Sequence, residues 1–218
     1  MYEYIFFDLD GTLTDPGIGI TNSVAHALRR SGIEPPERSE LYKFIGPPLR
    51  QSFVVCYGMS EEESIKAVEY YREYYKDKGI FENRVYSGVY EMLDKLTAEG
   101  KKIVLATSKP TLYAHQILEH FGLLKYFCFE AGANMDDSRT NKADVIAYAL
   151  DECGLWDKTD RIIMVGDREH DIIGAKAHGV SAVGVTYGYG SEDELSSAGA
   201  LALAASPSDV LRLTLGRA

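Results

Sequence analysis

Apolar and polar positions follow two different rhythms along this chain. From residue 87 onward, short apolar runs alternate with amphipathic stretches of helical spacing. Val89, Met92, Leu93 and Leu96 share one face of a helix predicted over residues 89–98, which Gly100 closes. An apolar strand follows at 102–106 and runs into Thr107-Ser108-Lys109-Pro110. Residues 113–121 read as a helix, 126–130 as a strand and 142–153 as a helix ended by Gly154. The strand at 161–165 leads into Gly166-Asp167. A helix at 172–178, strands at 181–185 and 201–205, and a last helix opening at Ser206-Pro207 complete the series. Alternation of this kind predicts an α/β fold, a Rossmann-like parallel sheet with helices on both faces.

Residues 15–86 break the rhythm and contain no convincing strand. Residues 21–30 are helical, and 61–78 form a long helical stretch rich in Tyr and Glu, with Ser60 placed as its N-cap. The segment reads as an all-helical insert, so the expected organisation is a core of residues 1–14 and 87–218 with a helical domain at 15–86.

The strongest chemical signal lies at the start. Tyr4-Ile5-Phe6-Phe7 has the aromatic and β-branched content of a buried strand. It ends in Asp8 and Asp10, spaced i, i+2 and followed by Gly11-Thr12. Alternation along extended chain points both carboxylates to one side, at the sheet edge where open parallel sheets bind ligands. Two carboxylates held there repel unless a cation or a shared proton intervenes. The pattern therefore points to a hard-metal site with room for nucleophilic and acid–base chemistry.

Composition narrows the partners. A formal net charge of −10 argues against general electrostatic binding to nucleic acid or an anionic membrane. Cys56, Cys128 and Cys153 are scattered, with no CxxC or zinc spacing, which fits a reducing compartment. No apolar run approaches the roughly 20 residues of a membrane span, and no secretory signal is visible. The expected setting is cytoplasmic, as a monomer or homodimer.

Further groups fall at predicted strand ends or helix starts: Thr107 and Ser108, Lys142, and Asp167 with Asp171. Taken singly, each is an ordinary turn, cap or surface residue. Taken in order on alternating strands and helices, Asp8-Leu9-Asp10-Gly11-Thr12, Thr107-Ser108, Lys142 and Gly166-Asp167-Arg168-Glu169-His170-Asp171 resemble the haloacid dehalogenase superfamily, in its phosphatase branch. The likeness spans essentially the whole chain, with residues 15–86 similar to that family's helical cap. Phe44-Ile45-Gly46-Pro47-Pro48-Leu49 and residues 104–110 resemble the phosphoglycolate phosphatase and 5′-nucleotidase-like branch. Many relatives follow the lysine with prolines, where this chain has Ala143-Asp144.

The resemblance implies roles. Asp8 would be the nucleophile that forms an aspartyl-phosphate, and Asp10 the general acid and then base. Mg²⁺ would be held by Asp8, Asp167 and the backbone carbonyl of Asp10, with Asp171 behind them. Thr107, Ser108 and Lys142 would bind the phosphoryl oxygens, with Lys109 as the backup cation for Lys142. Arg50 and Lys109 are candidates for substrate selection. An aspartate at position 10 sets the chain apart from relatives that cleave carbon–halogen or carbon–phosphorus bonds. The implied activity is hydrolysis of a small phosphate monoester, phosphoglycolate-like or a nucleoside 5′-monophosphate. A phosphosugar mutase and a non-catalytic phospho-switch are the alternatives. The Tyr70, Tyr71, Tyr74 and Tyr75 stripe reads as packing, and Tyr187-Gly188-Tyr189-Gly190 as a flexible loop.

Overall fold

The computed structural model describes residues 2–136 and 138–216. Six parallel strands form the main sheet: β1 (Tyr4–Phe7), β4 (Lys102–Pro110), β5 (Phe127–Ala133), β6 (Ile162–Gly166), β7 (Ser181–Val185) and β8 (Ala202–Ala204). Their order is β5-β4-β1-β6-β7-β8. The chain thus builds outward from β1 through β4 and β5, then returns to lay β6 on the other side. That reversal makes β1 the switch point of the sheet, where a crevice opens beyond the strand ends. Tyr4, Phe6, Val104, Met164 and Ile172 belong to one continuous apolar cluster with residues of the helix Lys142–Cys153. Strands covered on both faces read as unbroken apolar runs, which is why the sequence pattern finds them.

Two strands outrun their predicted ends. β5 extends to Ala133, through Ala-Gly-Ala residues of low strand preference that pairing with β4 holds in place. β4 continues to Pro110, but its register slips: Ala106 faces Ala131 while Pro110 faces Ala133. Four steps along β4 match two along β5, so Thr107, Ser108 and Lys109 bulge out of the ladder, and a bulge redirects side chains.

Contacts divide the chain into two compact units, Met1–Thr14 with Val85–Ala218, and Asp15–Arg84. The second boundary lies two residues before the expected one, because Val85 already pairs in a small two-stranded sheet, β2 (Thr14–Asp15) with β3 (Arg84–Val85), and Tyr86 N–H donates to Leu13 O.

The second unit is helical: α1 (Gly17–Arg30), a 3₁₀ segment (Arg38–Phe44), α2 (Leu49–Tyr57) and α3 (Glu61–Tyr74). Ser60 caps α3, and Glu63 returns a bond to the Ser60 N–H, completing a capping box. The helical stretch continues past residue 78, as its pattern predicts, but its last turn is wound differently. A π-helical turn, Tyr75–Gly79, closes it. At this turn the backbone passes close to α1: a Cβ on Gly19 would stand 1.9 Å from the Gly79 carbonyl oxygen. Gly17 and Gly19 are both buried residues of α1. The tyrosine stripe splits between two faces. Tyr71 and Tyr75 stack in the core, Tyr70 lies under Arg30, and Tyr74 donates to Glu82. No helix among the described residues is long and apolar enough to cross a membrane.

Candidate active site

The site is built at the end of β1. Asp8 N–H still donates to Val165 O at 2.9 Å, so β1 and β6 stay paired one residue beyond the strand. The chain then turns sharply: Leu13 and Thr14 amides donate to Leu9 O at 2.9 and 3.0 Å, and Gly11 N–H to Thr14 O at 2.7 Å. Gly11 has φ +84°, and a Cβ there would meet Asp167 Oδ2 at 2.1 Å. Only glycine permits both the turn and that approach.

Four aspartates converge on this edge, all buried: Asp8, Asp10, Asp167 and Asp171. Two lysines face them. Lys142, the first residue of the helix Lys142–Cys153, donates to Asp8 Oδ1 at 2.8 Å and to Ala106 O at 2.9 Å, and pairs with Asp171 Oδ1 at 2.8 Å. A cation at a helix N-terminus opposes the helix dipole; the two carboxylates offset that cost. Lys109, carried out of the ladder by the β4 bulge, pairs with Asp10 Oδ2 at 2.6 Å. The neighbouring carboxylates of the first strand end therefore sit in separate environments, each with its own lysine.

Four carboxylates against two ammonium groups leave two negative charges when all are ionised. Burial pushes Asp167 well above the ordinary carboxylate range, and Asp171 and Asp8 push it further. Burial likewise raises Asp10, against the pull of Lys109, and raises Asp171, against the pull of Lys142. Burial alone would lower Lys142, but Asp171 and Asp8 outweigh it and hold the lysine charged.

Oxygens of Asp8, Asp167 and Asp171 lie within 4.8 Å of one another. Asp10 Oδ1 and Asp167 Oδ1 are buried with no hydrogen-bond partner. A hard divalent cation suits this donor set. It would neutralise the surplus charge and occupy the orphaned Asp167 oxygen.

Of the residues expected at the site, Asp8, Asp10, Lys109, Lys142, Asp167 and Asp171 are brought together by these contacts. Thr107 is buried at the start of the bulge, and its hydroxyl accepts from Lys109 N–H at 3.3 Å. Ser108 follows it, partly buried. Arg50 belongs to the helical unit, near the start of α2, where it pairs with Glu61 on the surface. Sequence reasoning missed the packing of residues 187–190. Far from being a free loop, Tyr189 N–H donates to Asp167 Oδ2 at 2.8 Å and Tyr187 OH to Thr12 O at 3.0 Å. The two glycines were the only trace of that close approach.

The model of the haloacid dehalogenase-like hydrolases matches residues 5–185. The chain belongs to this family. It is 46% identical over 194 residues to a 5′-nucleotidase of Pseudomonas aeruginosa, covering 89% of this chain and 87% of that protein. It is 39% identical to the tyrosine-protein kinase PtkA of Mycobacterium tuberculosis, over 98% of this chain and 72% of the kinase. A phosphoglycolate phosphatase of Vibrio parahaemolyticus is 28% identical, with 97% and 95% covered. The crystal structure of a predicted phosphatase from Clostridium acetobutylicum superimposes with a TM-score of 0.96 at 45% identity, with 99% of both chains covered. The expected family and fold are borne out, and the chain is a phosphoric monoester hydrolase of this family.

Proposed function

We propose that this phosphatase hydrolyses a small phosphate monoester through an aspartyl-phosphate on Asp8, with nucleoside 5′-monophosphates first among its substrates. The observation that carries the reading is the division of the i, i+2 pair: Asp8 on Lys142 and Asp10 on Lys109, at 2.8 and 2.6 Å. Two carboxylates in different environments can take different roles.

Asp8 attacks phosphorus while the bond from phosphorus to the ester oxygen breaks. Asp10 delivers its proton to that departing oxygen, which leaves as an alcohol. Asp10, now a carboxylate, takes a proton from water. The water oxygen attacks the phosphorus held on Asp8, so that phosphate leaves and the Asp8 carboxylate is restored. Lys142 stands beside Asp8 throughout and offsets charge on the phosphoryl oxygens, with Thr107 and Ser108 as hydroxyl donors. Lys109 stays beside Asp10 and orients its carboxyl group, which the proton taken from water restores to the acid form for the next turnover. Asp8, Asp167 and the Asp10 carbonyl would hold Mg²⁺, supported by Asp171. Bound there, the ion would withdraw charge from the phosphoryl group.

The helical unit, Asp15–Arg84, is assigned to substrate selection as a cap, since the residues given chemical roles belong to the sheet unit. The 5′-nucleotidase relative is more similar than the phosphoglycolate phosphatase, which sets the order of substrates to try.

The kinase relative supports a second reading, in which a tyrosine hydroxyl and not water accepts the phosphoryl group. One panel separates these. Phosphate release from nucleoside 5′-monophosphates and phosphoglycolate is measured with Mg²⁺ and with a chelator, beside transfer from ATP to tyrosine peptides. Mg²⁺-dependent release from a monoester is the expected result. Rapid transfer to tyrosine with no monoesterase turnover would replace the first reading with the second. Isomerised phosphosugar without phosphate release would point to a mutase.

A further inference from the structure

Residues 187–190 carry no role in the chemistry just described, yet they touch both halves of the proposed metal site. On one side they hold Asp167. Tyr189 N–H donates to its Oδ2, and the backbone passes so close that a Cβ on Gly188 would stand 2.4 Å from Asp167 Cβ. A Cβ on Gly190 would stand 2.1 Å from the Asp167 carbonyl oxygen. On the other side they hold the turn after β1. That added Cβ on Gly188 would also stand 2.4 Å from Gly11 O, and Tyr187 OH donates to Thr12 O. The Tyr187 ring packs edge-on against Tyr86 at 5.1 Å, which fixes the phenol's approach. Behind Asp167, Glu194 Oε1 accepts from Arg168 Nε and Glu169 N–H at 2.8 and 2.9 Å, so the next helix braces the same turn.

We infer that residues 187–190 form a positioning clamp for the metal site, with Tyr187 as its strut. The clamp commits Oδ2 of Asp167 to a backbone amide and leaves Oδ1, which has no partner, to meet the cation. Orientation of a ligating carboxylate by a hydrogen bond behind it is a recognised control on metal affinity. Tyr187 adds a link between the Asp167 side and the turn that carries the Asp10 carbonyl. Two donors on separate strands are thereby held in one spatial relation. The inference rests on the Mg²⁺ reading above and adds residues that touch neither metal nor substrate.

Tyr187→Phe is the deciding variant, because it keeps the ring and removes only the hydroxyl. Mg²⁺ alone is titrated calorimetrically into chelator-stripped full-length protein, well below the thermal transition. Loss of one hydrogen bond in the clamp should raise the Mg²⁺ Kd roughly three- to tenfold. The Mg²⁺ concentration for half-maximal phosphatase activity should rise alike, while kcat at saturating Mg²⁺ stays within about twofold. A purely structural tyrosine would lower Tm and leave the Mg²⁺ Kd unchanged. Gly188→Ala, where folded, should weaken Mg²⁺ by more than about tenfold. A Tyr187→Phe Kd within twofold of wild type overturns the clamp while leaving the metal site standing. Absence of Mg²⁺ binding in the wild type overturns both, so the two failures are distinguishable.

Discussion

Lys142→Met tests whether the buried charge balance has been read correctly. The lysine side chain is only 4% exposed, and it faces two carboxylates at 2.8 Å. Methionine fills similar volume without a charge, so the change isolates electrostatics from packing. Removing one partner of a buried ion pair typically costs ~3–5 kcal/mol. The carboxylates have one escape, which is to protonate. Keeping one carboxyl protonated at pH 7 against its ordinary value of 3.8 costs about 4 kcal/mol, so the two routes agree. At roughly 2–4 °C per kcal/mol for a chain of this size, Tm should fall by about 6–20 °C. The sign of the pH dependence follows. Without Lys142 the Asp171 carboxyl rises further above 3.8, so its contribution is fully present below that value and is lost as pH climbs through the raised folded value. The deficit should therefore be large at pH 8 and shrink at pH 5. Thermal melts in chelator at both pH values measure it, and Mg²⁺ added at pH 8 should recover part of the loss. A Tm drop below about 2 °C at pH 8, or an equal drop at both pH values, would refute the reasoning.

Other substitutions probe separate roles. Asp8→Asn should abolish phosphate release with the fold intact, as judged by circular dichroism; activity within tenfold of wild type would remove it as nucleophile. Asp10→Asn should lower kcat by ~10²–10⁴-fold and change Mg²⁺ affinity little, because its carbonyl remains. A Mg²⁺ affinity loss as great as that of Asp167→Ala would contradict that division. Arg50→Ala removes a surface ion pair with Glu61 and should alter stability by less than ~1 kcal/mol. It should lower kcat/KM for at least one ester by more than about tenfold, and a uniform change below that would move selection elsewhere in the helical unit. Gly19→Ala forces a Cβ against Gly79 O and should destabilise the helical unit by ~1–3 kcal/mol in urea melts.

How far the sequence could be read depends on where each feature keeps its information. The strands were legible because burial on both faces demands unbroken apolar residues, and β1 and β6 meet that demand completely. The ends of β4 and β5 were not, since Thr107, Ser108 and Lys109 look like a loop until pairing with Ala131 and Ala133 shows a bulge. The π turn at Tyr75–Gly79 was illegible for a similar reason. No local pattern marks the π winding, nor the close approach of Gly79 to Gly19, sixty residues earlier.

The same distinction runs through the site. Groups assigned chemistry in the proposed mechanism must be particular side chains, so Asp8, Asp10, Lys142 and Asp167 stand out by type and order. Groups that position them work through backbone N–H groups, carbonyls and absent Cβ atoms. Tyr189 acts on Asp167 through its amide, Gly188 through what it lacks, and Tyr187 through a bond to a backbone oxygen. Such functions leave a weak mark in one sequence, because a glycine beside a turn is ordinary and an amide is common to nearly every residue. Lys109 falls between the two cases. Its charge was visible, but its pairing with Asp10 depends on a bulge that no local pattern specifies. Changes at positions of this kind should therefore disturb the geometry of the site while leaving its list of reactive side chains intact. That makes the response of Mg²⁺ affinity, measured apart from turnover, the more direct report on how this fold holds its aspartates in place.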